Sequence, residues 1–126
     1  MEWTFIINGR LPGMNEYTAS CRRNAYAGAN EKRVAQDMVS QAIIRQLRDI
    51  RITSSVAIRY KWYEQNKRRD HDNVSGFGHK VIQDALVECY VLQDDGWDEI
   101  VSYSDEFYID KNNPRIEVTL MEVENG

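Results

Sequence analysis

The clearest regularity along the chain lies at 55–64, where Val56, Ile58, Tyr60 and Trp62 alternate with Ala57, Arg59, Lys61 and Tyr63. A period of two predicts a strand with one buried face. Residues 3–8 predict a shorter strand, ended by Gly9 and by the turn chemistry of Leu11-Pro12-Gly13-Met14-Asn15. From there to Asn30 the sequence is polar and aperiodic, which predicts a long loop holding Tyr17, Arg22, Arg23 and Tyr26. At 31–50 the period lengthens, with Val34, Met38, Ala42, Ile43 and Leu47 at helical spacing and Asn30 as N-cap. A second helix is expected at 73–90 on the stripe Val74, Phe77, Val81, Ala85, Leu86 and Cys89, with Asp72 as a good cap. Gly76 and Gly78 weaken its first turns by roughly 1 kcal/mol each unless something packs tightly there. Strands at 99–109 and 115–123 flank Asp110-Lys111-Asn112-Asn113-Pro114, whose composition predicts a hairpin loop. The expected order is β-α-β-α-β-β, a single α+β domain over 1–126.

Length and charge narrow the function classes. A chain of 126 residues forms one domain with a sizeable core and needs no disulfide or zinc staple. Cys21 and Cys89 are far apart and form no CxxC pair, so a disulfide framework and a cysteine-rich zinc site are both poor readings. Apolar runs are too short to span a bilayer, and the first residues carry no basic-then-apolar leader, so a reduced, soluble, cytoplasmic protein is expected. The formal charge is 16 − 20 = −4. That argues against coating nucleic acid with the whole surface, yet leaves room for a basic patch beside an acidic metal pocket.

Three clusters carry candidate chemistry. Lys67-Arg68-Arg69-Asp70-His71-Asp72-Asn73 joins a strand to a helix; Lys80 and Asp84 share a helix face; Asp94-Asp95-Gly96-Trp97-Asp98-Glu99 follows that helix. In extended backbone, Asp70 and Asp72 point the same way and reach one point. A straight helix of this length, near 27 Å, keeps Asp94 and Asp95 away from them. A kink at the glycines, a later start, or a partner subunit must then unite them. Hard carboxylate oxygens with few His or Cys suit Mg2+ or Mn2+, and adjacent cations suit a phosphodiester substrate. Read singly, each cluster is as well explained by a helix cap, a solvated turn or a surface ion pair.

Together, Arg69-Asp70-His71-Asp72-Asn73, Lys80-Val81-Ile82-Gln83-Asp84-Ala85-Leu86 and Asp94-Asp95 resemble the D-x-D-N … K-x-x-x-D-A-L … D-D pattern of the RusA family of Holliday junction resolvases. Leu11-Pro12-Gly13-Met14-Asn15 is similar to that family's P-x-x-N loop, so the likeness covers most of the chain. It implies a compact domain with a mixed sheet packed against two helices. It further implies a Mg2+-dependent homodimer, with Mn2+ as substitute, that nicks four-way DNA junctions in symmetric pairs. Asp70, Asp72 and Asp95 would bind the metal, and Lys80 would be the catalytic lysine. Asn73, Asp84 and Asp94 would support them, while Lys67, Arg68, Arg69, Arg22, Arg23 and Asn15 would contact DNA. Four additional residues precede the lysine here; on a helix they return it to nearly the same face, about 6 Å further along. A less selective branched-DNA nuclease and a non-catalytic DNA-binding or assembly protein remain as alternatives.

Overall fold

The computed structural model describes residues 1–123; the last three positions of the expected domain lie outside the described residues. The chain runs β1 (Glu2–Asn8), α1 (Met14–Arg23), α2 (Ala25–Gln46), β2 (Val56–Glu64), α3 (His71–Glu88), β3 (Ile100–Ile109) and β4 (Arg115–Glu122). The sheet order is β1-β4-β2-β3, with β2 and β3 parallel and the other two pairs antiparallel. One face carries the helices and the other is polar, giving a two-layer α+β domain with a mixed sheet.

The alternation read at β2 holds: Val56, Ile58, Tyr60 and Trp62 are buried, and Glu64 continues the same face. Phe5, Ile7, Ile116, Val118 and Leu120 extend that floor from β1 and β4. Val74, Phe77, Val81, Ile82, Ala85 and Leu86 of α3 close over it. Tyr60 is sealed in, and burial pushes its phenol well above its ordinary range.

Four expectations need correction. The segment read as a polar loop is helical through α1 and the start of α2. Its apolar residues are too sparse to show a period, and caps and one aromatic contact hold it instead. Gly13 caps α1 with Glu16 reaching back, Asn24 accepts the Ala27 N–H at the head of α2, and Tyr17 stacks on Phe77 at 4.4 Å. The domain therefore has three helices rather than two, with α1 packed on α2 and α3, and Asn30 lies inside α2 rather than capping it.

Second, Val34 and Met38 face solvent; the buried stripe is Ala35, Val39, Ala42 and Ile43, one position round. Third, Asp70 rather than Asp72 caps α3, which begins at His71 and runs through both glycines. Gly78 lies so close to the Trp62 ring that a Cβ would meet its Cη2 at 2.6 Å. Trp62 and α3 thus approach at the distance only glycine permits.

Fourth, β3 and β4 are not a hairpin. β2 lies between them, and the 110–114 connection crosses its end, with the Asp110 N–H donating to the Glu64 carbonyl at 2.8 Å. Propensity located the turn but could not tell which strands pair across it.

Candidate active site

β2 delivers the chain to the 65–69 loop, and α3 starts directly after it. Asp70 is extended (φ −73°, ψ 170°), and its Oδ1 accepts the Asn73 N–H at 2.8 Å. Asp72 sits in the first helical turn. A cap and a first-turn acid both complement the positive end of the helix dipole, so the local fold tolerates two adjacent carboxylates. Both are exposed and line a cleft of about 860 Å3 with Lys67, His71, Phe107 and Tyr108. His71 stacks flat on Phe107, 3.9 Å between ring centroids.

Asn73 and Asn15 are joined: Asn73 Oδ1 accepts the Asn15 backbone N–H at 2.8 Å, fixing the head of α1 against the head of α3. A Cβ on Gly13 would meet that same Oδ1 at 2.6 Å, so the glycine is what lets the two heads touch. Arg69 turns inward. Its guanidinium forms paired bonds to Glu64 at 2.9 Å each and reaches the Leu11 carbonyl and Glu16, with its side chain only 10% exposed. Of the basic run, Lys67 and Arg68 stay exposed. Arg22 and Arg23 end α1 in solvent, and Arg23 lines a separate groove of about 630 Å3 with Arg10 and Tyr26.

A second charged group lies on the middle of α3. Lys80, seven positions after Asn73, pairs with Asp84 at 3.0 Å and with Asp95 at 3.5 Å. Asp84 also takes Lys32 of α2 at 2.8 Å. The Asp84 hydrogen bond and charge raise the Lys80 ammonium above its ordinary value. Burial alone would push the Asp84 carboxyl up, but the hydrogen bonds and charges of Lys32 and Lys80 together hold it down. Asp94 accepts the Asp95 N–H at 2.8 Å and so shapes the turn rather than joining the cluster.

Asp95 does not stay at the far end of α3. Tyr90 adopts a left-handed φ of 62° just past the helix, Val91 and Leu92 bond back to the Leu86 carbonyl, and the chain returns to Lys80. That return still leaves the two groups apart, because Lys80 lies ten residues, roughly 15 Å, along α3 from Asp70. Among the described residues no group of three or more His, Cys, Asp or Glu converges closely enough to hold a metal ion. Asp70 and Asp72 share one cleft; Lys80, Asp84 and Asp95 share another place.

Sequence reasoning missed Lys32, 52 positions from its partner Asp84 and carried by no motif. It also missed His79, whose Nε2 lies 2.7 Å from Asp105 Oδ1, the oxygen that accepts Trp62 Nε1–H at 2.8 Å. That three-way bond pins β3 to α3.

The order of these parts along the chain agrees with a known pattern. The family model described as Endodeoxyribonuclease RusA matches residues 13–121, from the cap of α1 into β4. The chain belongs to the RusA endodeoxyribonuclease family. No curated protein matches the chain. Membership makes it a nuclease of a family that acts on branched DNA junctions. The RusA match contains both charged clusters and the Asn15–Asn73 tie that sets their scaffold. No helix among the described residues is long and apolar enough to cross a membrane.

Proposed function

We propose that this RusA-family chain resolves four-way DNA junctions by paired symmetric nicks, as a Mg2+-dependent homodimer whose catalytic centres each draw on both subunits. The observation that carries this reading is the separation of Asp70 and Asp72 from Asp95 within one chain. Mg2+ commonly takes one or two protein carboxylates and fills its shell with water and substrate phosphate. The exposed Asp70/Asp72 pair fits that demand, and Mn2+ suits the same donors. Bound there, Mg2+ would supply a water of lowered pKa and offset charge on the phosphate.

A second copy supplies Asp95. β3 is an edge strand carrying Val101, Tyr103, Tyr108 and Ile109 exposed, with Trp97 just before it, 95% exposed. The opposite edge is interrupted at its centre: the Gln46 amide both donates to and accepts from the Ile6 backbone, at 2.7 and 2.8 Å. Two β3 strands paired antiparallel about a two-fold axis bring the start of each beside the end of the other. The start adjoins the Asp95 turn, and the end lines the Asp70/Asp72 cleft. Asp95 and Lys80 of one subunit thereby approach Asp70 and Asp72 of its partner.

In this arrangement Lys80 places positive charge where the leaving oxygen becomes negative. Lys67, Arg68, Arg22 and Arg23 hold backbone phosphates, while Arg69 secures the loop that carries Lys67 and Arg68. Two equivalent sites match the pseudo-twofold symmetry of a junction and cut two like strands.

The test is cleavage of a synthetic four-way junction, with duplex and flap controls, in Mg2+ and then EDTA, by the wild type and Asp72→Asn. Paired nicks that need the metal and vanish in the variant are expected. Equal cutting of flaps reduces the activity to a general branched-DNA nuclease. Salt-sensitive binding without cutting, in Mg2+ or Mn2+, overturns the catalytic reading.

A further inference from the structure

Asp84 is shared by two lysines from different helices. Its Oδ1 takes Lys80 at 3.0 Å and its Oδ2 takes Lys32 at 2.8 Å, while Lys80 also spans to Asp95 at 3.5 Å. The result is an alternating chain of charge, Lys32–Asp84–Lys80–Asp95, running from α2 across α3 to the acidic turn. The neighbouring cation on α2, Arg33, is committed elsewhere, to Asp37 and Asn30. Among the described residues Lys32 is therefore the α2 cation that meets Asp84.

We infer that Lys32 is a positioning residue for Lys80, acting through Asp84. This rests on the proposed role of Lys80 in junction cleavage. A lysine ammonium is a compact charge on a flexible stem, so neighbouring charges decide where it points. An i, i+4 carboxylate with no other partner holds such a lysine against the helix. When a second cation occupies the far oxygen, that hold is divided, and the lysine can lean toward Asp95 and an incoming phosphate. Lys32 thus frees Lys80 without touching it. A bland alternative exists, because a partly exposed ion pair between two helices contributes little to stability and often does nothing else. The two readings differ in what the loss of Lys32 does to turnover.

The experiment compares Lys32→Met, Lys32→Arg, Asp84→Asn and the double variant Lys32→Met/Asp84→Asn, each checked for an unchanged melting profile. Lys32→Met is expected to lower kcat for junction cleavage roughly tenfold with KM unchanged, as for an interaction expressed in the transition state. Lys32→Arg restores it. In the Asp84→Asn background the Lys32→Met change has no further effect, because the carboxylate charge it shields is gone. A crystal structure of Lys32→Met is expected to show Lys80 on Asp84 alone, withdrawn from Asp95.

A raised KM with kcat intact would make Lys32 a DNA contact and overturn the inference. Equal losses in both backgrounds, or Lys80 still bridging to Asp95 in the variant structure, would also overturn it. A wild type that binds junctions without cutting them refutes the nuclease reading instead, and the position of Lys80 in Lys32→Met still decides this one.

Discussion

Asp70 holds two positions at once, a helix cap and a cleft-lining carboxylate, and the two are separable by substitution. Asparagine caps a helix as well as aspartate does, whereas alanine costs about 1 kcal/mol. Asp70→Asn is therefore expected to leave the urea midpoint nearly unchanged while abolishing Mg2+-dependent nicking, and Asp70→Ala to lose both. Nicking retained by a stable Asp70→Asn protein would leave the residue as a cap. Arg69 is the opposite case, a cation in a basic run whose donors are spent inside the molecule. Removing it strands the Glu64 carboxylate, 12% exposed, with only the longer Arg10 contact at 3.7 Å. Arg69→Ala should therefore cost about 3 kcal/mol, the scale for breaking a buried pair, read from chemical denaturation. Lys67→Ala, by comparison, should leave stability unchanged and lower the salt dependence of DNA binding.

At the scale of elements, the meeting of α3 with β2 sets where the cleft carboxylates stand. Alanine would favour the helix by roughly 1 kcal/mol over glycine at position 78. Its Cβ, however, would press on a Trp62 ring that is 1% exposed and tied through Nε1 to Asp105. Overpacking of that kind costs about 1–3 kcal/mol, so Gly78→Ala should lower the melting temperature despite its better propensity. The glycine is visible in the sequence as a weak point, but its reason is Trp62, sixteen positions earlier on another element. The same limit separates what was legible from what was not. β2 and α3 show their buried faces locally, as periods of two and 3.6. Asp70 and Asp72 stand out by motif, but the extended spacing expected of them gives way to a helix that begins at His71, so they share a cleft as cap and first-turn acid. α1 was hidden because Tyr17 works through a contact with Phe77 rather than through a stripe of its own. The β4 pairing was hidden because the strand inserted beside its partner lies far away in sequence. The return of Asp95 to Lys80 depends on the positive φ at Tyr90, which no composition signal announces.

For the whole molecule, the division of the carboxylates makes a prediction that a one-chain site does not. Asp72→Asn and Asp95→Asn should each be inactive alone. Mixed and re-equilibrated, they should form heterodimers with one intact centre and recover nicking of a single strand. Sites built within one subunit would stay dead in the mixture. The proposed pairing also places a limit on size. A sheet with two open edges can add copies at both, and a symmetric contact at each would string molecules into an endless ribbon. Gln46 closes the β1 side by taking the donor and the acceptor of Ile6 into one amide. Once β3 is matched to β3, growth would have to run along β1, whose outer backbone Gln46 interrupts at Ile6. One glutamine side chain thus acts as a chain terminator: Gln46→Ala should yield light-scattering masses above the dimer, growing with concentration, where the wild type stops at two.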